Sequence, residues 1–291
     1  MRCACVDIGT NTTRLLVAER VDGGLREVVA VRRFERLRST ANGEIPVATI
    51  ARIAELVAAH VAVARDHGAD TVRAVATAAI RHAPNGQDLC RAVQRAAGVS
   101  VDVLSGEEEA ALAFAGALTT FDEPPSGVIG VIDVGGGSSE LVTGTARDGV
   151  AWSASLAVGS GVLTDRHVHS DPPALDELAA IRAEVEAALA AIAPPAPTCV
   201  LAVGGSATSL AGAGGGELAP ETIARVLSVL IAEPAAEAAR VLGLHTERTK
   251  LLPAGLMVLE AAWDAFGRAP LHVVRGGLRE GVVLRALDEG S

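Results

Sequence analysis

The sequence predicts an α/β protein made of two similar halves, and three observations support this. A short segment occurs twice, since residues 6–16 align without gaps on residues 132–142. Segments with strand and helix patterns follow each copy in the same order. A polar, proline-rich break at residues 122–127 separates the halves. We therefore predict domains at 1–124 and 125–291, a phosphate or nucleotide cleft between them, and a last helix near 277–291 that packs back on the first domain.

The elements follow from apolar spacing, as in the helical series Ile50, Ile53, Ala54, Val57 and Val61. Predicted strands lie near 2–8, 13–20, 25–33, 71–76, 100–104, 128–134, 139–145, 150–157, 199–203 and 271–274. Predicted helices lie near 46–67, 86–97, 107–119, 173–192, 219–231, 233–242, 249–266 and 277–287. Residues 204–209 are predicted to form a Gly-Ser turn.

Composition excludes several classes of protein. The 291 residues carry 25 basic and 35 acidic side chains, and the net charge of −10 argues against general nucleic-acid binding. No run of about 18 uncharged apolar residues predicts a membrane span, and the first strand begins too early for a signal peptide. The four cysteines match neither a disulfide framework nor a zinc pattern. We expect a soluble protein in the reducing cytoplasm.

The repeated segment predicts a β-hairpin whose turn holds a phosphate. Each copy ends a strand on an aspartate and then turns through glycines and hydroxyl residues. Backbone N–H groups in such a turn suit an anion, although glycine-rich hairpins without a ligand also exist. The candidate phosphate-binding residues are Gly9, Thr10, Asn11, Thr12 and Arg14 in the first copy and Gly135, Gly136, Gly137 and Ser138 in the second.

Carboxylates beside these turns predict a site for Mg²⁺ or Mn²⁺. Asp133 and Glu140 are seven residues apart across the second turn, so they can converge on one ion. A solvated Glu140 is the alternative. Asp7 occupies the position of Asp133 in the first copy, and we expect it to contact the metal through a water.

Three further candidates lie outside the repeat. Arg81 follows a buried strand, which makes it a candidate clamp for phosphate oxygens, and Arg248 is a weaker candidate phosphate contact at the start of a long helix. Residues 105–110 place three glutamates at a helix N-terminus. Acidic residues favour that position through the helix dipole, with Ser105 as the cap. The alternative is that one carboxylate activates water.

Together these segments, with residues 76–85, 203–210 and 276–283, resemble the exopolyphosphatase / guanosine pentaphosphate phosphatase family over essentially the whole chain. The resemblance implies the actin/Hsp70/sugar-kinase superfold, in which two ribonuclease-H-like domains flank an active-site cleft. It also implies metal-dependent hydrolysis of a terminal phosphoanhydride. The family's catalytic glutamate falls on Glu109, its metal-binding acids on Asp133 and Glu140, and its phosphate-binding arginine on Arg81. Extra C-terminal domains of longer relatives are expected to be absent.

Several functions remain open at this point. Exopolyphosphatase activity on inorganic polyphosphate is the primary expectation, and hydrolysis of guanosine pentaphosphate to the tetraphosphate would use the same site. A sugar or acid kinase would need an acceptor hydroxyl, whereas a glutamate suits water. A sensor that binds polyphosphate or guanosine alarmones without turnover is the fourth reading. The acidic second half and its apolar helices also allow a homodimer.

Overall fold

The structure of the protein is a computed structural model, and it describes residues 1–21, 24–37, 40, 42–211 and 218–290. The strands are β1 (Arg2–Ile8), β2 (Thr12–Val21), β3 (Gly24–Phe34), β4 (Thr71–Ala76), β5 (Val101–Val103), β6 (Ile129–Val134), β7 (Ser139–Thr145), β8 (Gly149–Leu156), β9 (Cys199–Val203) and β10 (Leu271–Val273). The helices are α1 (Val47–Asp66), α2 (Ala78–His82), α3 (Gly86–Ala97), α4 (Gly106–Leu118), α5 (Ser160–His167), α6 (Leu175–Leu189), α7 (Gly204–Ala211), α8 (Pro220–Ala232), α9 (Ala235–Leu242), α10 (Thr246–Ala265) and α11 (Leu278–Glu289).

The chain forms two compact units. The first consists of Met1–Asp122 together with Leu278–Ser291, and the second consists of Glu123–Gly277. Each unit contains one five-stranded sheet, in the order β3-β2-β1-β4-β5 for the first and β8-β7-β6-β9-β10 for the second. The first three strands of each unit pair as antiparallel neighbours, and the remaining pairs are parallel. The predicted duplicated α/β fold is confirmed.

The first unit buries apolar residues on both faces of its sheet, because successive side chains on a strand point to opposite faces. On one face, Val6 and Leu15 lie in a cluster with residues of α1 and α3. On the other face, Cys5 and Leu16 lie in a cluster with residues of α4 and α11. Helix α11 thus completes a core that the preceding 155-residue unit interrupts in sequence.

Helix α1 is, among the described residues, the one helix long and apolar enough to cross a membrane by length and composition. Its residues Ile50, Ile53, Val57 and Val61 are buried in the first unit's core. Core helices of water-soluble domains pass the same test, because their buried face raises the mean hydropathy.

The second unit packs its sheet against helices around α10. Leu252, Leu256 and Leu259 of α10 are buried in one cluster with strand residues such as Ile132 and Leu141. Pro253 lies inside this helix. A cis peptide bond joins Asp171 to Pro172 in the segment between α5 and α6.

Three short helices depart from the sequence-based prediction. Helices α2 and α5 lie in segments for which no helix was predicted, and α7 occupies residues 204–209, which were predicted to be a turn. Gly204 has a φ of +86°, and glycines are poor helix formers. Helix α7 packs closely against α10, since a Cβ on Gly255 of α10 would lie 2.1 Å from Ser206 Oγ.

Candidate active site

Each unit closes its first hairpin with the same turn. Gly9 N donates to Thr12 O, and Gly135 N donates to Ser138 O, both at 3.0 Å. A Cβ on Gly9 would lie 3.2 Å from Thr12 O, and a Cβ on Gly135 would lie 2.8 Å from Ser138 O. The second turn therefore has no room for a Cβ at Gly135, and the first turn is tight at Gly9.

The N-terminus of α5 orients the turn in the second unit. Ser160 N donates to Gly135 O at 2.9 Å, while Gly161 N and Val162 N donate to Gly136 O at 2.9 and 3.0 Å. In a trans peptide the N–H points opposite to the carbonyl, so the N–H groups of Gly136 and Gly137 point away from α5. Fixed N–H groups on one side of a turn are suited to bind an anion.

The turn in the first unit is fixed differently. Leu37 N donates to Thr10 O at 2.8 Å, so the N–H of Asn11 points away from Leu37. Side chains add to this arrangement, since Arg36 Nε donates to Asn11 Oδ1 at 3.2 Å. Arg14 Nε donates to Thr12 Oγ1 at 3.1 Å. The first turn has no run of glycines, and the guanidiniums of Arg36 and Arg14 lie beside it instead.

Asp133 and Glu140 lie directly opposite each other on β6 and β7. Opposite residues of an antiparallel pair point to the same face of the sheet, so the two carboxylates are neighbours. Glu140 is 1% exposed, and its Oε1 accepts hydrogen bonds from Ser138 Oγ at 2.7 Å and Ser155 Oγ at 2.9 Å. Glu140 is thus buried and held by hydrogen bonds inside the unit. The alternative expectation, a solvated Glu140 side chain, is not what the structure has.

Helix α7 begins beside these carboxylates. A Cβ on Gly204 would lie 2.7 Å from Asp133 Oδ1, so only glycine fits there. The next glycine, Gly205, faces the guanidinium of Arg248, whose Cζ would be 2.5 Å from an added Cβ. Arg248 is 6% exposed. Arg248 thus lies against the first turn of α7 in the unit that also holds Asp133.

The two carboxylates are typical of a magnesium site, in which the protein supplies few of the ligands. Among the residues that the structure describes, no group of three or more histidine, cysteine, aspartate or glutamate side chains is arranged to hold a metal. Mg²⁺ is usually bound by one or two carboxylates and completes its shell with water and substrate phosphates. Asp133 and Glu140 supply such a pair of hard oxygen donors.

Asp7 has a different electrostatic environment. Its cross-strand partner is Arg14, the position that Glu140 occupies in the second unit. Burial raises the pKa of the Asp7 carboxyl, and the nearby Arg14 and Arg279 guanidiniums oppose that rise. The charged neighbours of Asp7 are therefore cations, whereas the cross-strand neighbour of Asp133 is a carboxylate.

Arg81 and Glu109 come together in the first unit. Arg81 lies at the end of α2, which follows β4, and Glu109 lies in the first turn of α4, which follows the neighbouring strand β5. Arg81 Nη1 donates to Glu109 Oε2 at 3.2 Å and to Leu104 O at 2.5 Å. Glu109 is 7% exposed. A buried carboxylate thus lies within hydrogen-bond distance of a guanidinium that can bind phosphate.

The other glutamates of α4 have structural surroundings. Ser105 Oγ accepts from Glu108 N at 3.1 Å, and Glu108 Oε2 accepts from Ser105 N at 2.8 Å. This reciprocal capping box confirms the capping interpretation for Glu108. Glu107 is exposed. Only Glu109 of the three glutamates is buried.

Sequence reasoning missed three parts of these sites, namely Ser155, the N-terminus of α5 and the Leu104 carbonyl. A serine in a strand carries no distinguishing pattern, and a backbone carbonyl carries none at all. Gly159 before α5 did carry a signal that was not used. A Cβ there would lie 2.6 Å from the carbonyl atoms of Gly136, so the second turn depends on that glycine.

Comparisons with known proteins agree with this fold. Exopolyphosphatase 1 of Mycobacterium leprae is 27% identical over 308 residues, which span 99% of this chain and 90% of that protein. A guanosine-5'-triphosphate,3'-diphosphate pyrophosphatase of Aeromonas salmonicida is 28% identical over 96% of this chain and 58% of its own length. The crystal structure of the Aquifex aeolicus Ppx/GppA family member superposes with a TM-score of 0.83 at 27% identity, covering 100% of this chain and 99% of that one.

The family assignment follows from the match of the whole chain. Residues 16–289 fit the Ppx/GppA phosphatase family, and this range contains Arg81, Glu109, Asp133, Glu140 and Arg248. The two-domain α/β fold of the solved relative is the same fold. The chain belongs to the Ppx/GppA phosphatase family.

Proposed function

We propose that this protein is an exopolyphosphatase, which hydrolyses the terminal phosphoanhydride of inorganic polyphosphate and releases orthophosphate. The observation that carries the proposal is the pairing of the buried Glu109 carboxylate with Arg81. A phosphate bound at the guanidinium would lie beside a carboxylate able to accept a proton from water. The name of the Mycobacterium leprae relative supports the same substrate.

We assign phosphate binding to the two turns and to arginines. The N–H groups of residues 9–12 and 135–137 would donate to phosphoryl oxygens, with Arg81 and Arg14 offsetting their charge. The Ser138 hydroxyl donates to Glu140 in the structure. It would contact a phosphate only if its side chain rotated away from Glu140. Arg248, buried against Gly205, would be a further phosphate contact.

Glu109 would act as the general base. It accepts a proton from a water, whose oxygen forms a bond to the terminal phosphorus as the bridging P–O bond breaks. The leaving group is the polyphosphate chain shortened by one phosphate. Arg81 contributes by binding the phosphoryl oxygens on which negative charge accumulates.

Asp133 and Glu140 of the second unit are the residues that would hold Mg²⁺ or Mn²⁺. When bound, such an ion supplies Lewis-acid polarisation of the phosphoryl oxygens. Ser138 and Ser155 keep the Glu140 carboxylate oriented by their two hydrogen bonds.

The proposal is tested by orthophosphate release from polyphosphates of defined length, with Mg²⁺, for the wild-type protein and Glu109→Gln. We expect release by the wild type and a fall of about 100-fold to 10,000-fold in the variant, the usual contribution of a general base. Glu107→Gln is the matched control, since Glu107 is two residues away and exposed. Full activity of Glu109→Gln would exclude Glu109 as the base.

A second candidate function is hydrolysis of guanosine pentaphosphate to the tetraphosphate, which would place the protein in the stringent response. The name of the Aeromonas salmonicida relative favours it. Release of phosphate mainly from guanosine pentaphosphate would support this function over the first. Tight binding of either compound without release would instead support a sensor. We also propose a cytoplasmic location, in keeping with four free cysteines.

A further inference from the structure

A row of charged residues crosses three strands of the first unit. Asp7 of β1 lies opposite Arg14 of β2, and Arg14 lies opposite Arg32 of β3. Residues directly opposite in a sheet point to the same face. Neighbouring strands are about 4.8 Å apart, so the row extends about 10 Å across the sheet.

The helix α11 adds a third arginine on this face. Cys5 precedes Asp7 by two residues and Leu16 follows Arg14 by two, so all four side chains share a face. Cys5 and Leu16 are buried with Val282 and Val283 of α11. Arg279, in the first turn of that helix, is close enough to Asp7 to affect its pKa.

Positive charge exceeds negative charge in this cluster. We define the arginine cluster as Arg14, Arg32 and Arg279. Asp7 lies opposite Arg14, and Glu280 Oε1 lies 3.6 Å from Arg279 Nη2, so three guanidiniums lie near these two carboxylates. Arg32 is exposed, and desolvation by the atoms around its guanidinium, followed by the charge of Arg279, lowers its pKa. Like charges brought together in this way repel one another, and a bound anion would relieve the repulsion.

The cluster is connected to the candidate phosphate site. Arg14 Nε donates to Thr12 Oγ1, the hydroxyl of the last residue in the first turn. Arg32 lies one strand further from that turn. A single orthophosphate at the turn is too small to reach across the row, whereas a chain of linked phosphates can follow it.

We propose that the arginine cluster is a second anion subsite, which binds the inner phosphoryl groups of a condensed-phosphate chain whose terminal group lies at the turn of residues 9–12. The inference rests on the proposed function for its ligand class. Guanidiniums bind phosphate oxygens through paired hydrogen bonds. The cluster therefore selects substrates by the number of linked phosphates.

The test is calorimetric binding of inorganic tripolyphosphate and orthophosphate without divalent metal, so that binding is separated from turnover. We expect Arg32→Gln to weaken tripolyphosphate binding about tenfold to a hundredfold and to leave orthophosphate binding within about twofold. Arg33→Gln is the matched control. Arg33 is the adjacent residue on β3 and points to the opposite face, so its loss removes the same net charge and leaves the three guanidiniums of the cluster in place. Its Nη1 donates to Arg32 O at 3.1 Å, which is a contact with the backbone of Arg32 and not with its guanidinium.

Two results would overturn the subsite. One is unchanged tripolyphosphate binding in Arg32→Gln, and the other is an equal loss in Arg33→Gln, which would indicate general electrostatic attraction. Unaltered thermal unfolding of both variants serves as the folding check. A parallel titration with guanosine pentaphosphate shows whether the chain on a nucleotide uses the cluster as an inorganic chain does.

The outcome is separable from that of the proposed function. If the wild type binds tripolyphosphate through Arg32 but releases no orthophosphate with Mg²⁺, the subsite stands and the hydrolase proposal fails. If the wild type hydrolyses polyphosphate and Arg32→Gln has the same KM at every chain length, the subsite fails and the hydrolase proposal stands.

Discussion

The first hairpins of the two units share the hydrogen bond that closes the turn and differ in the charge of the residue opposite the aspartate. Asp7 faces Arg14 in the first unit, whereas Asp133 faces Glu140 in the second. A guanidinium offsets the charge of its aspartate and adds donors for phosphate, while a second carboxylate concentrates negative charge that favours a cation. The two units therefore carry the same turn beside groups of opposite charge, and we expect a divalent cation to bind beside the second turn rather than beside the first.

The largest effect should come from removing the aspartate of the second unit. We expect Asp133→Asn to reduce orthophosphate release by about a thousandfold or more, since it removes a metal donor. Asp7→Asn should cost much less, because Asp7 lies beside arginines. Phosphate release and calorimetric Mg²⁺ binding check both variants, and equal losses of Mg²⁺ affinity would mean that the two turns do not differ as their charges indicate.

The next effect concerns the support of the second turn by α5. In Gly159→Ala the new Cβ would lie 2.6 Å from Gly136 C and O and 2.7 Å from Gly137 N. Backbone atoms cannot move aside as side chains do, so we expect a loss of about 1–3 kcal/mol in unfolding free energy and weaker phosphate binding.

Thermal or urea unfolding and orthophosphate titration measure these changes. Gly24→Ala in the first unit is the control, since its Cβ would have an ordinary contact of 3.8 Å with Val21 O. A stable Gly159→Ala protein with normal phosphate affinity would show that α5 does not fix the turn.

A smaller effect should follow from Ser155→Ala, which removes one of the two hydroxyls on Glu140 Oε1. Loss of such a supporting hydrogen bond typically lowers metal affinity about 10-fold to 100-fold. The Mg²⁺ concentration for half-maximal binding measures it. Ser153→Ala, two residues earlier and opposite Val142, should leave that concentration unchanged, and an equal shift in both would remove Ser155 from this role.

The smallest expected effect is a pH dependence of stability that is confined to the first unit. His60 of α1 is 2% exposed, and both ring nitrogens lack a hydrogen-bond partner. Burial, followed by the charge of Arg33, lowers the pKa of His60 below its usual 6.5. The unfolded chain then binds a proton more readily, so this contribution to stability is complete above pH 6.5 and falls as the pH decreases, by at most about 1.4 kcal/mol per pH unit.

Hydrogen exchange followed separately in each unit, between pH 7 and 5, checks this expectation. Protection of the first unit should decline with falling pH in the wild type and decline less in His60→Leu. The second unit has no fully buried histidine among its described residues, so it is the internal reference. Identical pH dependence in wild type and variant would show that His60 does not contribute.

The sequence predicted the duplicated fold well because both repeats carry a long, periodic pattern. It predicted that Asp133 and Glu140 converge because a hairpin register follows from the length of its turn. It failed for α5 and α7, since these eight-residue helices are fixed by tertiary contacts at Gly136 and Gly255. The contact between Arg81 and Glu109 could not be predicted from spacing either. These residues are 28 apart in sequence and meet only because β4 pairs with β5.

The position of α11 has a consequence for the order in which the chain becomes structured during synthesis. The ribosome releases the chain from its N-terminus, so β1, β2 and α4 emerge well before Val282 and Val283, which cover Cys5 and Leu16. The second unit is continuous in sequence and can complete its core first. Until α11 is synthesised, one apolar face of the first unit's sheet is incompletely covered, and this face is where a nascent chain of this protein is most prone to aggregate.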